Sequence, residues 1–92
     1  MKYEWDDQKN SRNFHKHGVW FEEAQTIWAD RLAVEFFDST HSEKEERFLR
    51  IGTSTSARIL LVVFCERVDD VVRIISARKA TAKERRQYEE AI

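Results

Sequence analysis

Val71-Val72-Arg73-Ile74-Ile75-Ser76-Ala77-Arg78-Lys79-Ala80-Thr81-Ala82-Lys83-Glu84 is the stretch on which the fold turns. Its apolar run from Val71 to Ile75 reads as a buried strand, and Thr81 to Glu84 matches a capping box, with the Thr81 hydroxyl and Glu84 carboxylate each satisfying a backbone donor. A basic helix, Lys83 to Ala91, therefore begins at this box. Six of the sixteen Lys and Arg residues fall between Arg73 and Arg86, opposed only by Glu84. A strand that delivers guanidinium and ammonium groups into a helix start is a natural place to hold a phosphate.

Side-chain alternation puts Arg73 and Lys79 on one face of that strand and Ser76 and Arg78 on the other, so at most one of Arg78 and Lys79 shares a pocket with Arg73. Two uses of Arg78 stand side by side. Its planar fork suits a phosphate, and it can equally tie the strand end to a carboxylate such as Glu84.

Working outward, Lys2 to Trp5 can form a short first strand. Asp6 then caps a polar helix running to about His17, with Gly18 in the C′ position. Val19 or Trp20 begins a second helix, whose Phe21, Ala24, Ile27 and Trp28 recur at spacings of three and four and should pack on a sheet. From Leu32 the period becomes two: Val34 and Phe36 oppose Glu35 and Phe37, and Leu49 and Ile51 oppose Phe48 and Arg50. Turns at Gly52 to Ser56 and at Val68-Asp69-Asp70 lead into strands from Arg58 and from Val71, an antiparallel meander. The order is β-α-α-β-β-β-β-α, an α+β fold. Residues 39–46 are too polar for a core and should form the longest loop, with mobility. Arg85, Tyr88 and Ile92 mark one face of the last helix.

Ninety-two residues without proline and with two glycines suit one domain and leave no flexible linker. The single cysteine, Cys65, lies inside an apolar strand, so no internal disulfide forms and a reducing cytoplasm is the simplest home. No apolar run reaches the ~20 residues that span a bilayer, and the N-terminus lacks a signal-peptide core. The net charge is −1, yet residues 71–92 carry six cations against three carboxylates. Polyanion binding would depend on this local patch and be salt-sensitive.

His17 stands at a helix end beside Lys16 and Gly18, where an imidazole can be oriented for acid-base work; facing the negative end of the helix dipole is its plainer role. Arg50 points away from the Leu49 and Ile51 face and could meet the last strand's cations across the sheet, or be solvated. His41, in the polar loop, reads first as a surface histidine. A zinc site from His15, His17 and His41 is disfavoured, because residues two apart on a helix point about 200° apart. Trp5, Trp20 and Trp28 could stack bases, although Trp28 suits a core and Trp20 a partner interface.

Trp5-Asp6, Lys16-His17-Gly18-Val19 before Phe21-Glu22-Glu23-Ala24, Arg47 to Ile51-Gly52, and Arg73-Ile74-Ile75-Ser76-Ala77-Arg78 with Glu84-Arg85 together resemble the BrnT family of bacterial toxins. The resemblance runs nearly end to end. It implies a RelE-like fold, a ribonuclease that needs no metal or other cofactor, and neutralisation by a small DNA-binding antitoxin that represses the shared operon. Two features set this chain apart: Trp20 stands where a small polar helix-starting residue is expected, and the overall charge is acidic.

Metal-free RNA cleavage needs a base for the 2′-hydroxyl, an acid for the departing 5′-oxygen and cations around the phosphorus. For that chemistry His17, Glu84 and Arg78 are the catalytic candidates. Lys16, Arg50, Arg73, Lys79 and Lys83 are the RNA-phosphate candidates. The expected partners are RNA and a BrnA-type antitoxin, with DNA reached only through the antitoxin and no role for a membrane. The rival is a non-catalytic module that assembles with an antitoxin to regulate transcription. Direct DNA binding by the Lys83 to Arg86 helix is weaker, since Glu84, Glu89 and Glu90 share that helix.

Overall fold

A strand beginning at Lys2 and one ending at Lys79 lie side by side at one edge of the sheet, which joins the two ends of the chain. The computed structural model describes residues 1–40 and 45–91; His41 and Ile92 lie outside them. The elements are β1 (Lys2–Glu4), α1 (Asp7–His17), α2 (Phe21–Ala24) continued by a 3₁₀ turn (Gln25–Ala29), β2 (Val34–Asp38), β3 (Arg47–Thr53), β4 (Ile59–Arg67), β5 (Val71–Lys79) and α3 (Ala82–Glu90). The sheet order is β1-β5-β4-β3-β2. The β2 to β5 part is the expected antiparallel meander, whereas β1 pairs parallel to β5, Lys2 opposite Val71 and Glu4 opposite Arg73.

Local chemistry explains the helix ends. The Asp6 carboxylate accepts from the Gln8 and Lys9 amides at 2.8 and 3.1 Å, and Gly18 closes α1 with φ 70°, its amide bonded to the Phe14 carbonyl at 2.8 Å. Trp20 offers α2 no side-chain cap. The missing acceptor comes from α1 instead, because Asn10 Oδ1 takes the Phe21 amide at 2.7 Å. At α3 both arms of the capping box form: the Glu84 amide donates to Thr81 Oγ1 and the Thr81 amide to Glu84 Oε1.

The sheet has two unlike faces. On the first, α1, α2 and the 3₁₀ turn cover Leu60, Val62, Phe64, Val72, Ile74 and Ala77 with Val19, Phe21, Ala24 and Ile27, all buried. Each such large side chain contributes about 1.5–3 kcal/mol relative to exposure. Trp28 joins this core edge-on to Tyr3 and Phe64. Gly52 lies beneath it, where a Cβ would meet those of Ala33 and Ile27 at 3.1 Å each, so the 3₁₀ turn approaches β3 only over glycine. On the second face α3 covers Ile51 and Leu61 through Ala80 and Tyr88. The Tyr88 hydroxyl donates to Asp30 Oδ2 at 2.5 Å, and the same oxygen accepts the Thr53 amide at 2.8 Å, which fastens α3 to β3.

Strict alternation along β5 does not hold. Val63 pairs with Ser76 but Phe64 with Ile74, so Ile75 is an extra residue, a β-bulge. The bulge moves Arg73 to the face of Ser76 and Arg78, and leaves Lys79 on the face of Ala77. The expected pairing of Arg73 with Lys79 is therefore corrected: the two point to opposite faces.

Candidate functional site

Arg78, the strand-end cation of the opening motif, is engaged with Glu84. Its Nη1 and Nη2 donate to Oε1 and Oε2 of that carboxylate at 2.7 and 2.8 Å. Arg78, with Thr81 after it, holds the Glu84 carboxyl below the usual carboxylate range against the upward push of burial. Together they lock the start of α3 to the end of β5, so the geometry is that of a strand end tied to a carboxylate. Arg73 sits at the opposite end of β5, paired with Glu4 at 2.5 Å. Arg50 lies on the face covered by α1 and α2, bonded to Glu35 at 2.6 Å with its guanidinium 5.2 Å from the Trp28 ring centre. His17, Arg50 and Arg78 thus do not converge: the first two lie on the side of α1 and α2 and the third beneath α3, and Arg50 is turned to the Trp28 end.

A different set of cations does meet. Lys79, Arg58 and Arg85, from β5, the β3–β4 turn and α3, line one cleft of ≈ 340 Å³ together with Ala57, Ile59 and Ala80. Register brings them together, because Leu60 pairs with Lys79 and places Arg58 beside the end of β5. Arg58 is held by its Nε and Nη2 edge. Nε donates to Glu23 Oε2 at 2.9 Å, and Nη2 donates to Glu23 Oε1 and to the Gly18 carbonyl, the latter at 3.1 Å. Its Nη1 has no partner among the described residues. Arg58, with smaller contributions from the Ser54 hydroxyl and the Lys79 charge, holds the Glu23 carboxyl low against the opposing effect of burial.

His17 is the residue before the carbonyl that Arg58 grips, and it is half-buried while Lys16 is exposed. Asn13 fixes this helix end on the strand: Nδ2 donates to the Val19 and Ala77 carbonyls, each at 2.8 Å, and Oδ1 accepts the Ala77 amide at 3.1 Å. Lys79 follows Ala77 by two residues and shares its face. Lys83 is exposed in the first turn of α3. Of the sequence candidates, His17, Lys16 and Lys79 border this end of the molecule. Arg58 and Arg85 were not among the candidates: Arg58 joins the cleft through the β4–β5 register and Arg85 through the placement of α3, neither of which is a local signal.

Among the described residues no three His, Cys, Asp or Glu side chains gather as metal ligands would, and no helix is long and apolar enough to cross a membrane. Glu23 and Glu84 both have lowered carboxyl pKa values, so each adds stability above the ordinary carboxylate range that disappears as pH falls through the depressed value. The thermal midpoint should be flat near neutrality and drop below about pH 4. Glu23→Gln should lower the neutral midpoint and flatten part of the acid slope, and an unchanged slope in a pH-melting series would count against the Arg58 pairing.

The profile of the family described as the ribonuclease toxin BrnT of type II toxin-antitoxin systems matches residues 5–84. The crystal structure of the Brucella abortus ribonuclease toxin BrnT superposes with a TM-score of 0.69 at 26% identity, covering 88% of this chain and 97% of that one. No curated protein sequence gives a significant match. A family profile that spans the chain from its first tryptophan to the α3 capping box, and a shared fold over nearly the whole relative, lead to one conclusion: the chain belongs to the BrnT family of type II ribonuclease toxins.

Proposed function

We propose that the protein is an endoribonuclease that cuts RNA without a metal ion, inhibits translation by doing so, and is silenced by a small DNA-binding antitoxin of the BrnA type. The observation that carries this reading is the convergence of Lys79, Arg58 and Arg85 on one cleft beside the His17 end of α1. A phosphodiester seated there meets three positive charges from three elements that the fold holds in place. As the RNA 2′-oxygen attacks phosphorus, the centre gains negative charge, and fixed cations stabilise it without reorganisation. His17 supplies an imidazole for one proton transfer at the 2′- or 5′-oxygen. Arg78 and Glu84 support this cleft by fixing the β5 to α3 corner from which Lys79 and Arg85 project.

Membership of a type II toxin family implies an antitoxin partner. Reaching DNA only through that partner fits the net charge of −1, which gives the chain weak steering of its own towards duplex. Antitoxin-free protein should cut single-stranded RNA in EDTA, and stoichiometric antitoxin should stop it. RNA left intact both alone and in a translating extract would remove the enzyme and leave the interaction module, which predicts tight antitoxin binding with no growth arrest.

A further inference from the structure

A second cleft of ≈ 600 Å³ adjoins the cationic one, lined by Trp20, Glu22, Glu23, Thr26, Thr55 and Ser56. The two share a wall: Glu23 lines this one and grips Arg58 of the other, and Ser56 and Ala57 are consecutive in one turn. Trp20 is 43% exposed although it is a large aromatic. It stacks on Phe14 with ring centres 4.2 Å apart and planes 10° from parallel, which covers one indole face and holds the ring rigid. Glu22 accepts from Asn10 with one oxygen; its second oxygen and the Thr55 and Ser56 hydroxyls have no partner among the described residues.

We infer that this cleft seats one unstacked base of single-stranded RNA, stacked on Trp20, next to the phosphate held by Lys79, Arg58 and Arg85. The inference rests on the ribonuclease reading above and deepens it. Glu22 and Glu23 make the cleft repel a phosphate, so it does not extend the cationic site. A flat ring with hydroxyls and a carboxylate at its margin suits a base, whose face stacks and whose edge carries both N–H donors and acceptors. Single-stranded RNA alternates base and phosphate along its length, and here a stacking platform alternates with a cationic cleft across one shared wall. The Trp20 that leaves α2 without a side-chain cap, and whose loss Asn10 makes good, thereby has a use of its own.

The test is binding of a fluorescent 2′-O-methyl RNA hexamer, which cannot be cleaved, to the full chain and to folded Trp20→Leu and Trp20→Tyr variants. Trp20→Leu should weaken binding roughly ten- to a hundred-fold, while Trp20→Tyr retains most of it. A single abasic position should weaken the wild type by a similar factor and make no difference to Trp20→Leu. Equal affinity of Trp20→Leu and wild type overturns the inference, as does loss of antitoxin binding with RNA binding intact, which would make Trp20 a protein interface. If wild type binds the hexamer through Trp20 but cuts no natural RNA, the ribonuclease reading fails and the base seat stands. If it cuts RNA with Trp20 irrelevant, the reverse holds.

Discussion

Lys79→Ala should lower RNA cleavage by about 10²-fold, the scale for losing one fixed group that stabilises transition-state charge, while the melting temperature stays close to that of the wild type. The separation of the two effects follows from geometry. Lys79 is exposed at the end of β5, its ammonium has no hydrogen-bond partner among the described residues, and it lines the cleft shared with Arg58 and Arg85. Surface substitutions of that kind change stability by about 0.5 kcal/mol or less. His17→Gln should reduce the rate further, by ~10²–10⁴-fold if the imidazole moves a proton. Arg78 is the informative contrast. Its guanidinium is bonded to Glu84 through both Nη atoms, so Arg78→Ala should first loosen the α3 corner and lower stability. Single-turnover cleavage of a defined oligonucleotide, set beside thermal melts of the same preparations, separates these outcomes. A Lys79→Ala protein that cuts at the wild-type rate would remove the phosphate from this cleft.

The largest loss of stability is expected from Asn13→Leu, a change that keeps side-chain size and deletes the amide. Beyond Arg73, β5 has no neighbouring strand on its outer edge, because β1 ends at Glu4. Asn13 takes the place of one, bonding both the amide and the carbonyl of Ala77 and also the Val19 carbonyl, from a position only 7% exposed. Removing it leaves three buried backbone groups without partners, at ~1–3 kcal/mol for each such group before relaxation. A net loss of roughly 3 kcal/mol is a large part of the 5–15 kcal/mol that holds a domain together. It should lower the melting temperature by about 12–24 °C. Urea unfolding with a lower midpoint and unchanged slope would check it, and a shift below 1 kcal/mol would show that water replaces the amide.

Local signals were legible in the chain, and non-local ones were not. Asp6, Gly18 and the Thr81–Glu84 box act over three or four residues, so helix ends could be read directly. The apolar face of Phe21, Ala24 and Ile27 was visible in its spacing, as was the two-residue period of β2 and β3. Nothing local announces that Asn10 caps α2 from eleven residues away, or that Glu23 and Arg58 meet across 35 positions. Arg58 reads as an ordinary strand-entry residue until Leu60 is known to oppose Lys79. For Arg78 the sequence offered both a phosphate clamp and a tie to Glu84, six residues on, and the tie is the contact that forms.

Ile75 carries a consequence beyond its own pairing. One surplus residue acts as a phase slip in the strand, so the segment before it and the segment after it present their odd-numbered side chains in opposite senses. Pairing the same residues in regular alternation, with Ile75 in the ladder, would swap the outward ends: Lys79 would turn beneath α3 and Arg78 towards α1, undoing the Glu84 tether and emptying the cationic cleft in a single step. A relative that kept every charged residue of Arg-Ile-Ile-Ser-Ala-Arg-Lys but lacked the slip would carry the same letters with inverted chemistry.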